Sequence, residues 1–343
     1  MKILCTGISG MQKLRHIESL KPFLHKHKQR VEIFDTWVYL SRAGKDLGQT
    51  ITKEKVLDLH NLDELRAIAF ERICAETERL LKDSPETHIV ISTHGCFRWN
   101  RTLRSGFDLH YLSRIDPDMY VNLVDDAVKI SENLSRDTQW ANRLTIDEIV
   151  TWRDEEMFIT ESLAMFQKKP FYLVAIDEVL SSLGNMILFP DRRKIYISFP
   201  ITAIQLEQPE LLNEAAEFAH KLREKYIVFN PLSIKDLHEV DTQQMKVQKH
   251  LKAATVWRDF KLISQSDIVA VYYPVEKNSP GVNQEIMYAF THGKDVYLYY
   301  PKKFGMSPFW DPEIAVTQTF DTIEEFQQFF YEMESDGGTS GKK

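Results

Sequence analysis

The sequence predicts two successive doubly wound α/β domains, and three observations lead there. Short runs rich in apolar and β-branched residues alternate with longer amphipathic segments, the pattern of parallel strands joined by crossover helices. The alternation is interrupted at Phe189-Pro190-Asp191-Arg192-Arg193, a proline beside a charge cluster, and then restarts. A chain of 343 residues exceeds one typical domain and suits two. The expected division is 1–190 and 193–335, with a small polar tail, 336–343, expected to be disordered.

In the first domain, strands are expected at 2–6, 31–34, 88–92, 119–124 and 171–176, each a short apolar run bounded by loop residues. Helices are expected at 11–26, at 62–81, where apolar residues recur near the helical period, and across the highly charged stretch 136–169. In the second domain, strands are expected at 194–199, 226–230, 267–273, 295–300 and 315–320. Helices at 209–224, 248–265, 281–292 and 323–333 complete the alternation.

Composition removes several classes of function. The formal net charge of -7 argues against a nucleic-acid partner, while leaving room for a local basic pocket that takes a small anion. Cys5, Cys74 and Cys96 fit no metal motif or disulfide framework and read as small buried hydrophobes. The N-terminus lacks a signal-peptide core, and no apolar run is long enough for a bilayer. The expectation is therefore a cytoplasmic protein with no membrane partner, no metal and small-molecule ligands.

The segment Gly7-Ile8-Ser9-Gly10-Met11-Gln12-Lys13-Leu14 lies between a strand and a helix, the setting of a phosphate-binding loop. Backbone amides would cradle phosphates and Lys13 would reach them. Gln12 stands where the glycine before the lysine belongs, and Leu14 where a hydroxyl would hold Mg²⁺. With Thr93-His94 after the third strand and Arg136-Asp137 further on, the region resembles archaeal-type adenylate kinases and related nucleoside monophosphate kinases. Ser92 replaces the aspartate that this family carries before Thr-His. The resemblance implies a P-loop kinase-like fold and nucleotide contacts from Gly7, Gly10, Lys13, His94 and Arg136, with ATP or another nucleotide as the ligand. The missing parts imply a degenerate site that binds more readily than it transfers phosphate.

The second domain carries another constellation. Lys194-Ile195-Tyr196-Ile197-Ser198 is its first strand, Asp259 precedes Asp267 at the entrance to its third, and Ser279-Pro280-Gly281-Val282-Asn283-Gln284-Glu285 opens the following helix. In a flavodoxin-like order the tops of strands one and three flank one crevice, where ligands bind. Together these segments resemble the nucleoside 2-deoxyribosyltransferase superfamily, nearest to the 2'-deoxynucleoside 5'-phosphate N-hydrolases.

That resemblance implies catalytic roles for Glu285 as nucleophile, Asp259 as the group that protonates the leaving base, and Tyr196 as the residue holding Glu285. It implies substrate contacts from Ser279, Gly281, Asn283 and, in a later loop, Ser307. It also implies a homo-oligomer, because family members complete their sites from a neighbouring subunit. The loop 199–204 has neither the glycine nor the arginine with which the hydrolases grip a 5'-phosphate, so free nucleosides and nucleotides both remain candidate substrates.

The expected function is cleavage or transfer of an N-glycosidic bond of a (deoxy)nucleoside or its 5'-monophosphate. It needs no cofactor for that step, and the first domain would bind a nucleotide or act as a scaffold. The alternatives are a nucleoside monophosphate kinase or NTPase with an appended nucleotide-binding module, and a non-catalytic nucleotide sensor.

Overall fold

The computed structural model describes residues 1–234, 245–305, 307–310 and 314–333; the polar tail lies outside them. The chain divides into two compact units, Met1–Gly184 with Ile234–Thr255, and Asn185–Ser233 with Val256–Lys343.

The first unit contains β1 (Lys2–Thr6), α1 (Lys13–Glu18), α2 (Leu20–Lys26), β2 (Val31–Asp35), α3 (Thr36–Asp46) and α4 (Leu62–Asp83). It continues with β3 (His88–Ser92), β4 (Cys96–Trp99), β5 (Thr102–Ser105), α5 (Leu109–Ile115), β6 (Met119–Val124), α6 (Ala127–Ser135), α7 (Ile146–Gln167) and β7 (Phe171–Ala175). Its main sheet is parallel, in the order β2-β3-β1-β6-β7. The central strands are buried on both faces, which accounts for unbroken apolar runs such as Ile3-Leu4-Cys5. Phe70, Ile73 and Ile115 pack with Ile89 and Ile91 in a single core cluster. β4 and β5 form a separate antiparallel hairpin.

The second unit contains α8 (Asn185–Leu188), β8 (Lys194–Ser198), α9 (Ile201–Glu207), α10 (Leu211–Leu222), β9 (Ile227–Phe229) and α11 (Met245–Ser264), whose residues from Val256 belong to this unit. After these come β10 (Ile268–Tyr272), α12 (Pro280–Thr291), β11 (Asp295–Tyr299), β12 (Gln318–Phe320) and α13 (Ile323–Glu332). Its sheet is wholly parallel, in the order β12-β11-β10-β8-β9. That is the flavodoxin-like order, with its topological switch between β8 and β10. Asp267 accepts the Lys194 amide at 2.7 Å and so fixes the start of β8 against β10.

Both units are thus doubly wound α/β folds, as the alternation of elements predicts. Several elements differ from the sequence reading. The helix expected at 11–26 is broken at Ser19. Pro22 has no N–H for the Glu18 carbonyl, so one continuous helix is unavailable. The stretch 136–169 is not one helix: α7 starts only at Ile146, where Thr145 and Glu148 form a reciprocal capping box. The last strand is three residues, Gln318–Phe320. The β4–β5 hairpin, α3, α5 and α9 are additional elements.

Candidate functional sites

The loop after β1 in the first unit joins a strand to a helix through residues of positive φ. Gly10 has φ +89°, and a Cβ there would lie 2.8 Å from Leu134 Cγ. Gln12 has φ 51° and ψ 33°, the left-handed conformation that glycine adopts without strain. Gln12 therefore occupies a conformation in which the glycine expected there would be unstrained.

Lys13 is buried and donates from Nζ to Gly7 O at 2.9 Å and to Thr93 O. Burial pulls its pKa down to about 8, opposed by the nearby Glu156 and Asp35 carboxylates. Glu156, on the buried stripe of α7, accepts three amides: Gly7 at 2.9 Å, Gly95 at 2.8 Å and Cys96 at 2.7 Å. Its carboxylate ties the loop after β1 to the loop after β3. Desolvation raises its pKa, while Lys13 and the three amides oppose that shift. His94 Nδ1 lies 3.8 Å from Glu156 Oε1 and has no hydrogen-bond partner among the described residues. Burial, reinforced by Lys13, holds this imidazole neutral by lowering its pKa well below the usual value.

A cavity of about 470 Å³ opens over this loop. Gly10, Lys13 and His94 line it, joined by Asp35, Arg66 and Trp140. Gly7 lies behind it and spends its amide on Glu156. Arg136 is exposed at the end of α6 and is not among the lining residues, whereas its neighbour Asp137 is. Sequence reasoning missed Asp35, which caps α3 through the Trp37 amide and has a pKa raised by burial. Its signal was present: a carboxylate at the carboxyl end of a predicted strand. Glu156 left no such signal, being one acidic residue in a charged helix.

In the second unit, Glu285 stands in the second turn of α12, because the helix begins at Pro280 and its first turn holds no acidic residue. An interaction with the positive end of the helix dipole, which fades beyond the first turn, does not account for its position. Tyr196 donates to Glu285 Oε1 at 3.0 Å and Ser198 donates to Oε2 at 2.5 Å. Both donors are fully buried and lie two apart on β8, hence on one face of the strand. Ser198 was missed by the sequence reading, although this alternation from Tyr196 pointed to it.

Burial raises the pKa of Glu285, and the charge of Asp259 raises it further; the two hydroxyls act against this. Asp259 also contributes, after burial, to raising Tyr196 well above its usual value. Asp259 itself contacts the Arg258 guanidinium at 3.4 Å. The three residues singled out from sequence are therefore within electrostatic reach of each other at the β8–β10 switch.

The four proposed substrate contacts separate into two pairs. Ser279 is the N-cap residue of α12, makes no side-chain capping bond, and donates its amide to Tyr273 Oη at 2.6 Å. Gly281 is exposed, and a Cβ at this position would meet no atom within 4 Å, so the space beside it is open. Asn283 and Ser307 instead share a cavity of about 470 Å³ with Asn278, Ile286, Met287 and Trp310. At about 100° per residue, Asn283 and Met287 face away from Glu285 on α12.

No group of side chains able to hold a metal is found among the described residues, and no helix there is long and apolar enough to cross a membrane. No protein-family model and no curated protein matches the chain. Among solved structures it is similar to shikimate kinase from Bacteroides thetaiotaomicron, at 15% identity and a TM-score of 0.28, over 51% of this chain and 86% of that one.

Proposed function

We propose that the second unit cleaves or transfers the N-glycosidic bond of a (deoxy)nucleoside or its 5'-monophosphate, through a glycosyl ester on Glu285. The observation that carries this reading is a half-buried carboxylate held by two fully buried side-chain hydroxyls with a second carboxylate in its field. Two like-charged groups so placed resist ionising together, and the pair holds one proton over a wide pH range. Glycosyl transfer uses that division of labour.

The Glu285 carboxylate attacks the anomeric carbon as the carbon–nitrogen bond breaks. The electron pair of that bond leaves with the base, which takes up the proton held by the pair. Asp259 is the partner that delivers it, and it then receives a proton from the water or acceptor base that opens the ester. Tyr196 and Ser198 orient the Glu285 oxygens and favour their ionised form. Ser279 and the open space at Gly281 receive the sugar side of the substrate.

In the first unit we infer a nucleotide-binding site that does not transfer phosphate. Lys13 is engaged by two carbonyls, and Leu14 supplies no metal-holding hydroxyl. The decisive experiment is chromatographic detection of free base from ribo- and deoxynucleosides and their 5'-monophosphates, with and without ATP. Wild type is run beside Glu285→Ala. Release that disappears in the variant supports the reading. No release from any substrate sinks it and favours a nucleotide sensor.

A further inference from the structure

A second cavity in the first unit, about 380 Å³, is lined by Arg98, Trp99, Asn100, Arg101, Trp140, Arg143, Leu144 and Glu148. We propose that it binds the phosphate groups of a phosphorylated small molecule, at a site that adjoins the phosphate-loop cavity through Trp140 but is built from other arginines. Three arginines converge there in a chain whose net charge is -7. Arg98 is paired with Glu155. Arg101 and Arg143 have no ion-pair partner among the described residues, so their charge is available to a ligand.

The arrangement of these groups favours a bound anion. The Arg143 guanidinium lies over the Trp99 ring at 4.3 Å, and Trp99 is itself buried and anchored through Nε1 to Asp58 at 2.7 Å. A guanidinium held over an indole face keeps N–H groups for the two-point contact that phosphate accepts. The one carboxylate in the lining, Glu148, offsets part of the charge of Arg98 and Arg101 and is held in place by the cap of α7. It accepts the Thr145 amide at 2.9 Å and the Thr145 hydroxyl at 3.0 Å in the cap of α7. Three guanidinium groups therefore face one carboxylate in the lining, which leaves the cavity with an excess of positive charge.

Backbone conformation gives independent support. Asn100 and Arg101 join β4 to β5, with Trp99 paired to Thr102, and their φ angles are 48° and 63°. Two positive φ values in a two-residue hairpin loop define a turn for which Asn-Gly is the favoured pair. Arginine in place of that glycine is strained, and strain of this kind is retained where a side chain is needed. Here the side chain is the one that completes the cavity.

The test uses the full chain and inorganic pyrophosphate as the probe, titrated by calorimetry at low and moderate salt, with AMP and ATP in parallel. Arg101→Gly relieves the turn and should melt no lower than wild type, yet weaken pyrophosphate binding about tenfold, the usual scale for losing one charge-assisted contact. Arg143→Gln should weaken it similarly, Arg79→Gln, an exposed arginine on α4, should leave it unchanged, and Lys13→Gln reports any binding at the phosphate loop. Tighter binding of ATP than of pyrophosphate, lost in the same two variants, would name a nucleotide as the source of the phosphates. Affinity insensitive to both arginine substitutions, loss in Lys13→Gln alone, or no binding by wild type would overturn the proposal.

Discussion

Glu156 is buried and Glu285 half-buried, both near the carboxyl ends of parallel strands, and their surroundings differ in kind. Glu156 is surrounded by backbone: three amides donate to it, and a buried lysine lies close enough to stabilise its charge. Glu285 is surrounded by side chains: two hydroxyls donate to it while Asp259 destabilises its ionised form. A carboxylate tied down by main chain braces two loops. One held by rotatable hydroxyls beside a like charge can gain or lose a proton, or form a bond, without rearranging the fold.

The sharpest way to break this comparison is to remove each carboxylate and ask what is lost. Glu285→Ala should abolish base release, by at least about 10³-fold if Glu285 is the nucleophile, with little change in far-ultraviolet circular dichroism. Tyr196→Phe should slow the reaction by a smaller factor, about 10-fold to 100-fold, because Ser198 still orients the carboxylate. Wild-type activity in either variant would place the chemistry elsewhere.

Glu156→Ala should show the reverse pattern, with stability lost rather than chemistry. Three buried amides would be left without an acceptor, at about 1–3 kcal/mol for each unsatisfied group. Urea denaturation should register a destabilisation of several kcal/mol in the first unit. A loss below about 1 kcal/mol would mean that water or Lys13 rearrangement replaces the brace.

A pH series sharpens the contrast. The folded-state pKa of Glu285 is raised above its ordinary value of 4.5, to about 8, so folding favours its protonated form. Its burial therefore carries no penalty below pH 4.5, and a penalty that grows as pH rises from there to about 8. Glu285→Gln removes that dependence. The melting temperature of the variant relative to wild type should rise between about pH 5 and pH 8; a pH-independent difference would show that the pair does not hold its proton. Under the proposed mechanism the same proton would set the alkaline limb of base release, and Asp259→Asn should move that limb.

The smallest expected effect lies in the phosphate loop. Gln12→Gly should stabilise the first unit by no more than about 1 kcal/mol, because glycine takes a left-handed conformation without strain. Destabilisation in thermal melts would mean that the Gln12 side chain, which accepts from Arg15 at 3.3 Å, contributes more than its backbone costs.

Much of this was legible in the residues themselves. Period and punctuation located the strands, because a strand buried on both faces must be apolar throughout and must end in residues that turn the chain. Strand-top position pointed to Glu285, while Tyr196 and Asp259 entered through the resemblance of three segments to a glycosyl-transfer family. Local chemistry also marked Gln12 and Leu14 as departures from a working phosphate loop.

Other features depend on contacts between residues far apart in the chain. Ser198 joins Glu285 only because β8 and β10 are neighbours. Asn283 and Ser307, grouped with the catalytic residues by sequence, share a cavity with residues on another side of α12. The helix boundary at Ile146 and the break at Ser19 follow from a capping box and a missing proline N–H, local signals that charge pattern alone obscures. Sequence by itself determined the two doubly wound folds and the residue types at their strand ends, because periodicity and turn chemistry act over a few residues. Only the tertiary structure decided which carboxylate is held by backbone amides and which by side-chain hydroxyls beside a like charge, because desolvation and hydrogen bonding are set by neighbours that sequence distance does not reveal.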